Sequence, residues 1–313
     1  MRDKHLQTVL AVFASFGLLL AGFFVFPPAL AAFAIPLVMI AHVYGLKTLA
    51  PGLGVFFLLI LLLTDLATAG VVLLIALLFA TAIPYAFRIK FDPYQAVLAL
   101  TLCLLVIMGA LSIALHYIND LGLLQAMELT LREVIERQIE LLESGGISSI
   151  EILNLEYNLR QALDLMIRIL PAMLFVVSFF TSLVHYLGSA RLLRYRGYGI
   201  INAGNFNQFT LPSNIIIGAL VTFAGSWLLN QTGFLHTETL NTNLVVIFSL
   251  LFLVQGLAVA DCFLAKRLRL VTRIVIPLLL VLFLQLGPLY VLLGILDVPL
   301  QFRKRITYKR GDE

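Results

Sequence analysis

The side chains that could do chemistry are few, and most of them stand at the edges of long apolar runs. Asp164 and Arg168 lie four apart with the acid first, the order that favours an ion pair along one helical face. Arg168 freed from that pair could instead hold an anionic group. Pro171 follows less than one turn later, where it would kink a helix and release a backbone carbonyl. His116 and Tyr117 close another apolar run, and Asp65 separates two more. An ionisable group at membrane depth is costly and is read first as functional, whereas at the interface it is simply wetted. Asp65, His116, Tyr117, Asp164 and Arg168 are therefore the candidate solute contacts. Ser178, Ser182 and His185 share one helical face and are expected to hydrogen-bond a neighbouring helix. Asp261 and Asp297 have simple partners nearby in Lys266-Arg267 and Arg303.

Catalytic signatures are missing. The chain has no H-E-x-x-H, G-x-S-x-G, C-x-x-C or G-x-x-x-x-G-K-[ST], so zinc hydrolysis, serine catalysis, dithiol exchange and phosphate cradling lack their usual residue sets. His5, His42, His116, His185 and His236 are scattered along the sequence. The expectation is a non-enzyme with no metal, no cofactor and no nucleic-acid partner.

The elements that must position these residues follow from the solvent. Of 313 residues, 61% are hydrophobic and 12% charged, against about 45–50% and 25% in soluble domains. Cys103 and Cys262 both lie in apolar runs, which excludes a disulfide scaffold. Stretches without Asp, Glu, Lys or Arg cover 5–46, 48–64, 66–87, 93–119, 169–190, 197–237, 239–260 and 274–296. A span needs about 20 apolar residues, so 5–46 holds two, 6–26 and 29–46, divided at Pro27-Pro28. The first is read as a retained helix rather than a signal peptide, since another hydrophobic segment follows it. Further spans are expected at 49–64, 66–87, 95–118, 165–189, 212–230 and 243–265. Gly197 to Gln208 is a polar loop.

Seventeen of the 21 Lys and Arg fall in alternate loops: Arg2 and Lys4, Lys47, Arg88 and Lys90, Arg191 to Arg196, Lys266 to Arg273, and Arg303 to Arg310. The positive-inside rule makes that side, with both termini, cytoplasmic. Because the last two clusters share a side, residues 270–286 and 288–302 are expected to form a short hairpin turning at Gly287-Pro288. A single span is the alternative. The expected architecture is all-α: a polytopic bundle of about 8–10 crossings in a bacterial inner membrane. Residues 1–118 hold spans one to five, 119–164 an insert, 165–302 the remaining spans, and 303–313 a basic tail.

The insert is acidic, with nine carboxylates against Arg132, Arg137 and Arg160. Apolar residues from Leu124 to Leu142 recur at helical spacing. Gly145-Gly146 ends this helix, and Ser148 with Glu151 resembles a capping box opening a second one. Surface helices that meet lipid are rich in Lys and Arg, so this one is expected on the outer face, packed on protein. It would be either a passive cover or a docking element. Glu133, Glu136, Glu140 and Glu143 are its candidate partner contacts.

Three segments carry a resemblance. Phe209-Thr210-Leu211-Pro212, Gln255-Gly256-Leu257-Ala258-Val259, and Leu293-Gly294-Ile295-Leu296-Asp297 running to Phe302-Arg303-Lys304 resemble the YybS-like family of bacterial membrane proteins, whose function is unassigned. Pro299 and Gln301 stand where the last motif usually has Trp and an acid. Gly45-Leu46-Lys47-Thr48-Leu49-Ala50-Pro51-Gly52-Leu53-Gly54 is similar to the small-residue turn of S-components of energy-coupling-factor transporters. That likeness implies a six-helix N-terminal core, a small solute entering from the outer face, and a coupling ATPase in trans. Where S-components carry an Ala-x-x-x-Ala pair, this chain has Ala11 and Ser15. A related architecture serves the scaffold MreD, so the alternative expectation is a non-catalytic scaffold binding membrane or envelope proteins.

Overall fold

The computed structural model describes residues 2–144, 149–200, 206–232, 237–265 and 270–303. Among them regular structure is helical, with no strand. Seven helical segments are long and apolar enough to cross a bilayer, and the chain is a polytopic helical membrane protein. The Gly145-Gly146 break, Ser148 of the capping box, Lys266-Arg267, His236 and the tail beyond Arg303 lie outside the described residues. So does the side chain of Glu143.

The chain divides into two compact units, residues 1–123 with 174–203 and residues 124–173 with 204–313. In the first, α1 (Arg2–Phe24), α2 (Ile35–Tyr44), α3 (Leu46–Leu61), α4 (Leu66–Arg88) and α5 (Pro93–Asn119) follow one another. The expected span 29–46 is not one α-helix. It opens as a 3-10 stretch, Pro27–Ala32, and restarts at Ile35. The prolines explain the break: Pro36 has no N–H for the carbonyl one turn back, so an α-helix through it would lose a bond. The short α2 buries Leu37, Val38, Met39, Ile40 and Ala41 in succession, because it packs against α1, α3 and α4 together. A helix enclosed on all sides is apolar all round.

Carboxylates close two helix starts. Asp65 accepts from the Thr68 amide at 2.9 Å and its hydroxyl at 2.6 Å, capping α4. Asp92 accepts from the amides of Tyr94 and Gln95, with Pro93 opening α5. Gly45, at φ +83°, joins α2 to α3 in a conformation that side chains resist. Outside the core, Phe24, Leu62 and Val106 are more than 70% exposed, a surface that water would penalise and acyl chains match.

The second unit contains α6 (Leu123–Ser144), the first part of α7 (Ser149–Tyr195), α8 (Ile215–Thr232), α9 (Thr237–Leu264), α10 (Leu270–Phe283) and α11 (Gly287–Leu300). Helix α7 runs 47 residues without interruption although Pro171 lies inside it. The missing Pro171 amide leaves the Ile167 carbonyl without its ladder donor, and the next rung is clasped from outside. Asn243 of α9 accepts from the Ala172 amide at 2.6 Å and donates to the Arg168 carbonyl at 2.7 Å. Those two groups, four residues apart, would otherwise bond each other in the α ladder.

Candidate functional site

Helices α9 and α11 make the closest contact in the second unit. A β-carbon added to Gly256 would overlap the Tyr290 carbonyl, and one added to Gly294 the Phe252 carbonyl. Only glycine at both positions lets the backbones come so near. Gln255 is the neighbour of Gly256, and Asp297 lies one turn beyond Gly294, so the approach brings two polar side chains together inside an apolar crossing. Gln255 Nε2 donates to Asp297 Oδ2 at 2.6 Å. Arg303 adds Nη2 and Nε to the same oxygen at 2.8 and 3.2 Å.

The irregular stretch before α8 is tied to this cluster. Pro212 disfavours helix in the residue ahead of it, leaving backbone groups that side chains must satisfy. The Leu211 amide donates to Gln255 Oε1 at 2.9 Å. Arg303 Nη1 donates to the carbonyls of Asn207 and Phe209. Gln255, Asp297 and Arg303 are 2%, 2% and 8% exposed. A buried pair of this kind is worth little against an apolar substitute, yet breaking it is costly.

The cluster walls a cavity of about 280 Å³ that Thr210, Ser213 and Gln301 also line. Asp297 Oδ2 takes three donors, while Asp297 Oδ1 is buried with no hydrogen-bond partner among the described residues. Arg303 balances the charge of Asp297. The site therefore offers a carboxylate acceptor without net charge, which suits the N–H or O–H group of a small polar solute. Its volume is close to the lower limit, about 300 Å³, of small-molecule sites.

The residues singled out from sequence are engaged locally. Asp65 is spent on the α4 cap, and its bonds to Thr68, the side-chain one first, hold its carboxyl below the ordinary value. The His116 and Tyr117 rings touch edge to face at 6.3 Å, with Tyr117 on the surface. Arg168 takes Glu238 in the first turn of α9 as its partner, rather than the expected Asp164, which is exposed. Asn243, by joining α7 to α9 at Arg168, sets these two helices side by side and favours the interhelical pair. On α6, Glu133 pairs with Arg137, and Glu128 with Arg132. Glu136 and Glu140 are exposed and form no ion pair among the described residues.

In the first unit, His185 is the member of the polar face on α7 that reaches another element. Its Nε2 accepts the Ala34 amide at 3.1 Å and its Nδ1 lies 2.8 Å from the Thr181 carbonyl. Phe79 stacks on the ring at 4.1 Å. Both nitrogens are used within the fold, which makes this histidine a structural pin. No cluster of three metal-ligating side chains exists among the described residues.

Sequence reasoning assigned Asp297 to Arg303 and stopped there. The missed partner is Gln255, 42 positions away. The available signal was a glutamine and an aspartate inside apolar runs, each beside or one turn from a glycine. A family model described as Predicted membrane protein (DUF2232) matches residues 10–298. No curated protein and no solved structure matches the chain.

Proposed function

The chain belongs to the DUF2232 family of predicted membrane proteins, and we propose that it binds a small hydrogen-bond-donating solute in the pocket between α9, α11 and the segment before α8. In this reading it is a non-enzymatic, solute-binding subunit of a transport system in the bacterial inner membrane. The observation that carries the proposal is Asp297 Oδ1, a buried carboxylate oxygen without a donor among the described residues, on a side chain that lines a cavity. Buried polar atoms normally find partners, and a solute hydroxyl, amide or amine would supply one. The likeness of the Gly45–Gly54 turn to S-components supports a transport role for the chain as a whole, with a coupling ATPase supplied in trans, and does not bear on this pocket. The basic loops support a cytoplasmic location for both termini and for the pocket beside Arg303.

Native mass spectrometry of the detergent-purified chain tests this. The wild type should carry a small-molecule mass, and Ser213→Trp, which fills the cavity from an exposed position, should lose it at unchanged melting temperature. An empty wild type, or an adduct that survives Ser213→Trp, rejects the solute reading.

A scaffold role like that of MreD is the second reading, and the exposed carboxylates of Glu136 and Glu140 beside exposed Val134 and Leu141 favour it. A basic partner held there would be lost on Glu136→Lys with Glu140→Lys, through like-charge repulsion, while solute binding would persist.

A further inference from the structure

A cavity of about 680 Å³ in the first unit opens between the α2–α3 joint and the last turns of α4. Its polar wall holds Lys47, Arg88, Tyr44 and Tyr85, and the rest is chiefly alanine, leucine and Pro84. We infer that this cavity binds an anionic phospholipid, with the phosphate between Lys47 and Arg88 and an acyl chain along the apolar face of α4.

Charge gives the first support. Lys47 and Arg88 are exposed and form no ion pair among the described residues. The only acids between residues 4 and 119 are Asp65 and Asp92, and both are occupied as helix caps. Among the described residues neither cation at the mouth of the cavity pairs with Asp65 or Asp92. A third cation is close by, since Lys4 Nζ lies 5.8 Å from the centre of the Tyr44 ring. Tyr44 is held in place by its hydroxyl donating to Gln7 at 2.9 Å.

Chemistry along the wall gives the second. Leu46 and Tyr85 line the cavity and are 44% and 65% exposed, so it opens onto the surface that faces the bilayer. A soluble phosphate compound would find little use for that apolar wall, whereas an acyl chain would. Tyrosines at headgroup depth are the usual boundary between the two zones. Pro51 and Pro84 have no N–H for the carbonyls of Lys47 and Ala80 one turn back. The Lys47 carbonyl, beside the proposed phosphate, is thus left open by the helix ladder, which suits a glycerol hydroxyl of a phosphatidylglycerol headgroup, while Ala80 is fully buried. Lys47 and Arg88 also belong to the basic loops, and basic pockets between helices on the cytoplasmic side suit anionic headgroups.

The test is native mass spectrometry of the full chain in detergent with dioleoyl phosphatidylglycerol, dioleoyl phosphatidylcholine or inorganic phosphate added. The wild type should retain phosphatidylglycerol in preference to phosphatidylcholine. Lys47→Gln with Arg88→Gln should weaken that retention roughly thirtyfold, as expected for two basic residues at an anionic surface. Thr81→Trp blocks the cavity from an exposed helical position whose hydroxyl bonds only its own backbone, and should give the same loss with both cations present. Equal retention of the two lipids, or unchanged phosphatidylglycerol binding in Thr81→Trp, overturns the inference. Displacement of the lipid by inorganic phosphate at equal concentration would overturn the lipid as occupant and make the site one for a soluble phosphate.

Discussion

Gly256 and Gly294 face each other across the α9–α11 crossing with no room for a side chain on either, and the obstructing atoms are backbone carbonyls. A carbonyl cannot swing aside as a flexible side chain can. Gly256→Ala should therefore push the helices apart, costing about 1–3 kcal/mol as overpacking does. It should also pull Gln255 from Asp297. Gly218 of α8 has open space around its Cα, so Gly218→Ala should be neutral or stabilising by a few tenths to about 1 kcal/mol. Thermal unfolding in detergent compares the two, and equal effects would reject the close crossing as the cause.

Asp297 and Arg303 should behave as a coupled pair. Asp297→Asn removes the carboxylate charge that faces the nearly buried Arg303 guanidinium, a loss of about 3–5 kcal/mol. Arg303→Gln should cost a similar amount by stranding the carboxylate and freeing the Asn207 and Phe209 carbonyls. The double variant should be more stable than the sum of the two losses implies. A double-mutant cycle on unfolding temperatures reads the coupling directly, and strict additivity would contradict the pairing.

The spans were legible because charge is so scarce in them that its positions mark the helix ends. Pro27-Pro28 and Pro171 were legible as breaks for the same local reason, the missing amide. What answered each break was not. Pro36 turned the start of the second span into 3-10 structure, and Asn243, more than 70 positions from Pro171, clasps the rung of α7 beside the proline. The pairing of Arg168 with Glu238 was hidden likewise, because Asp164 offered a local partner and only the α7–α9 packing supplies the distant one. Gln255 and Asp297 sat in sequence segments already notable for their resemblance. Their meeting depends on two glycines whose role is invisible until the helices are laid together.

The Arg168–Glu238 pair should be worth little. Both side chains are substantially exposed, and exposed pairs contribute about 0–1 kcal/mol. Arg168→Ala should therefore leave unfolding nearly unchanged and leave any co-purified solute in place. Loss of that solute in a well-folded Arg168→Ala would move the site to this arginine.

Acid should loosen the start of α4. The Asp65 carboxyl is held below its ordinary value by the Thr68 hydroxyl and amide, so the folded state binds that proton less readily than the unfolded one. The cap's contribution is complete above the ordinary aspartate value of about 4 and fades as pH falls through the lower folded value. Asp65→Asn keeps an acceptor for the Thr68 amide but does not titrate. Hydrogen exchange at Ala67 to Ala69 should rise, beyond the intrinsic change, as pH falls below the ordinary aspartate value of about 4 in the wild type and stay flat in Asp65→Asn.

Asn243 offers the sharpest test of how α7 passes Pro171. Asn243→Leu is close in size but removes the acceptor for the Ala172 amide and the donor to the Arg168 carbonyl together. Each buried group left unsatisfied costs about 1–3 kcal/mol, so the variant should lose several kcal/mol. If the asparagine stands in for a ladder bond that the proline opened, Pro171→Ala should rescue it. Alanine restores the amide at 171, lets the helix close, and allows the Ala172 amide to reach the Arg168 carbonyl without help. Pro171→Ala alone should change less, because the asparagine and the ladder then compete for the same two groups. The expected order of unfolding temperature is wild type close to Pro171→Ala, then the double variant, then Asn243→Leu. A double variant no more stable than Asn243→Leu would mean that the asparagine holds α7 to α9 and does not repair the helix.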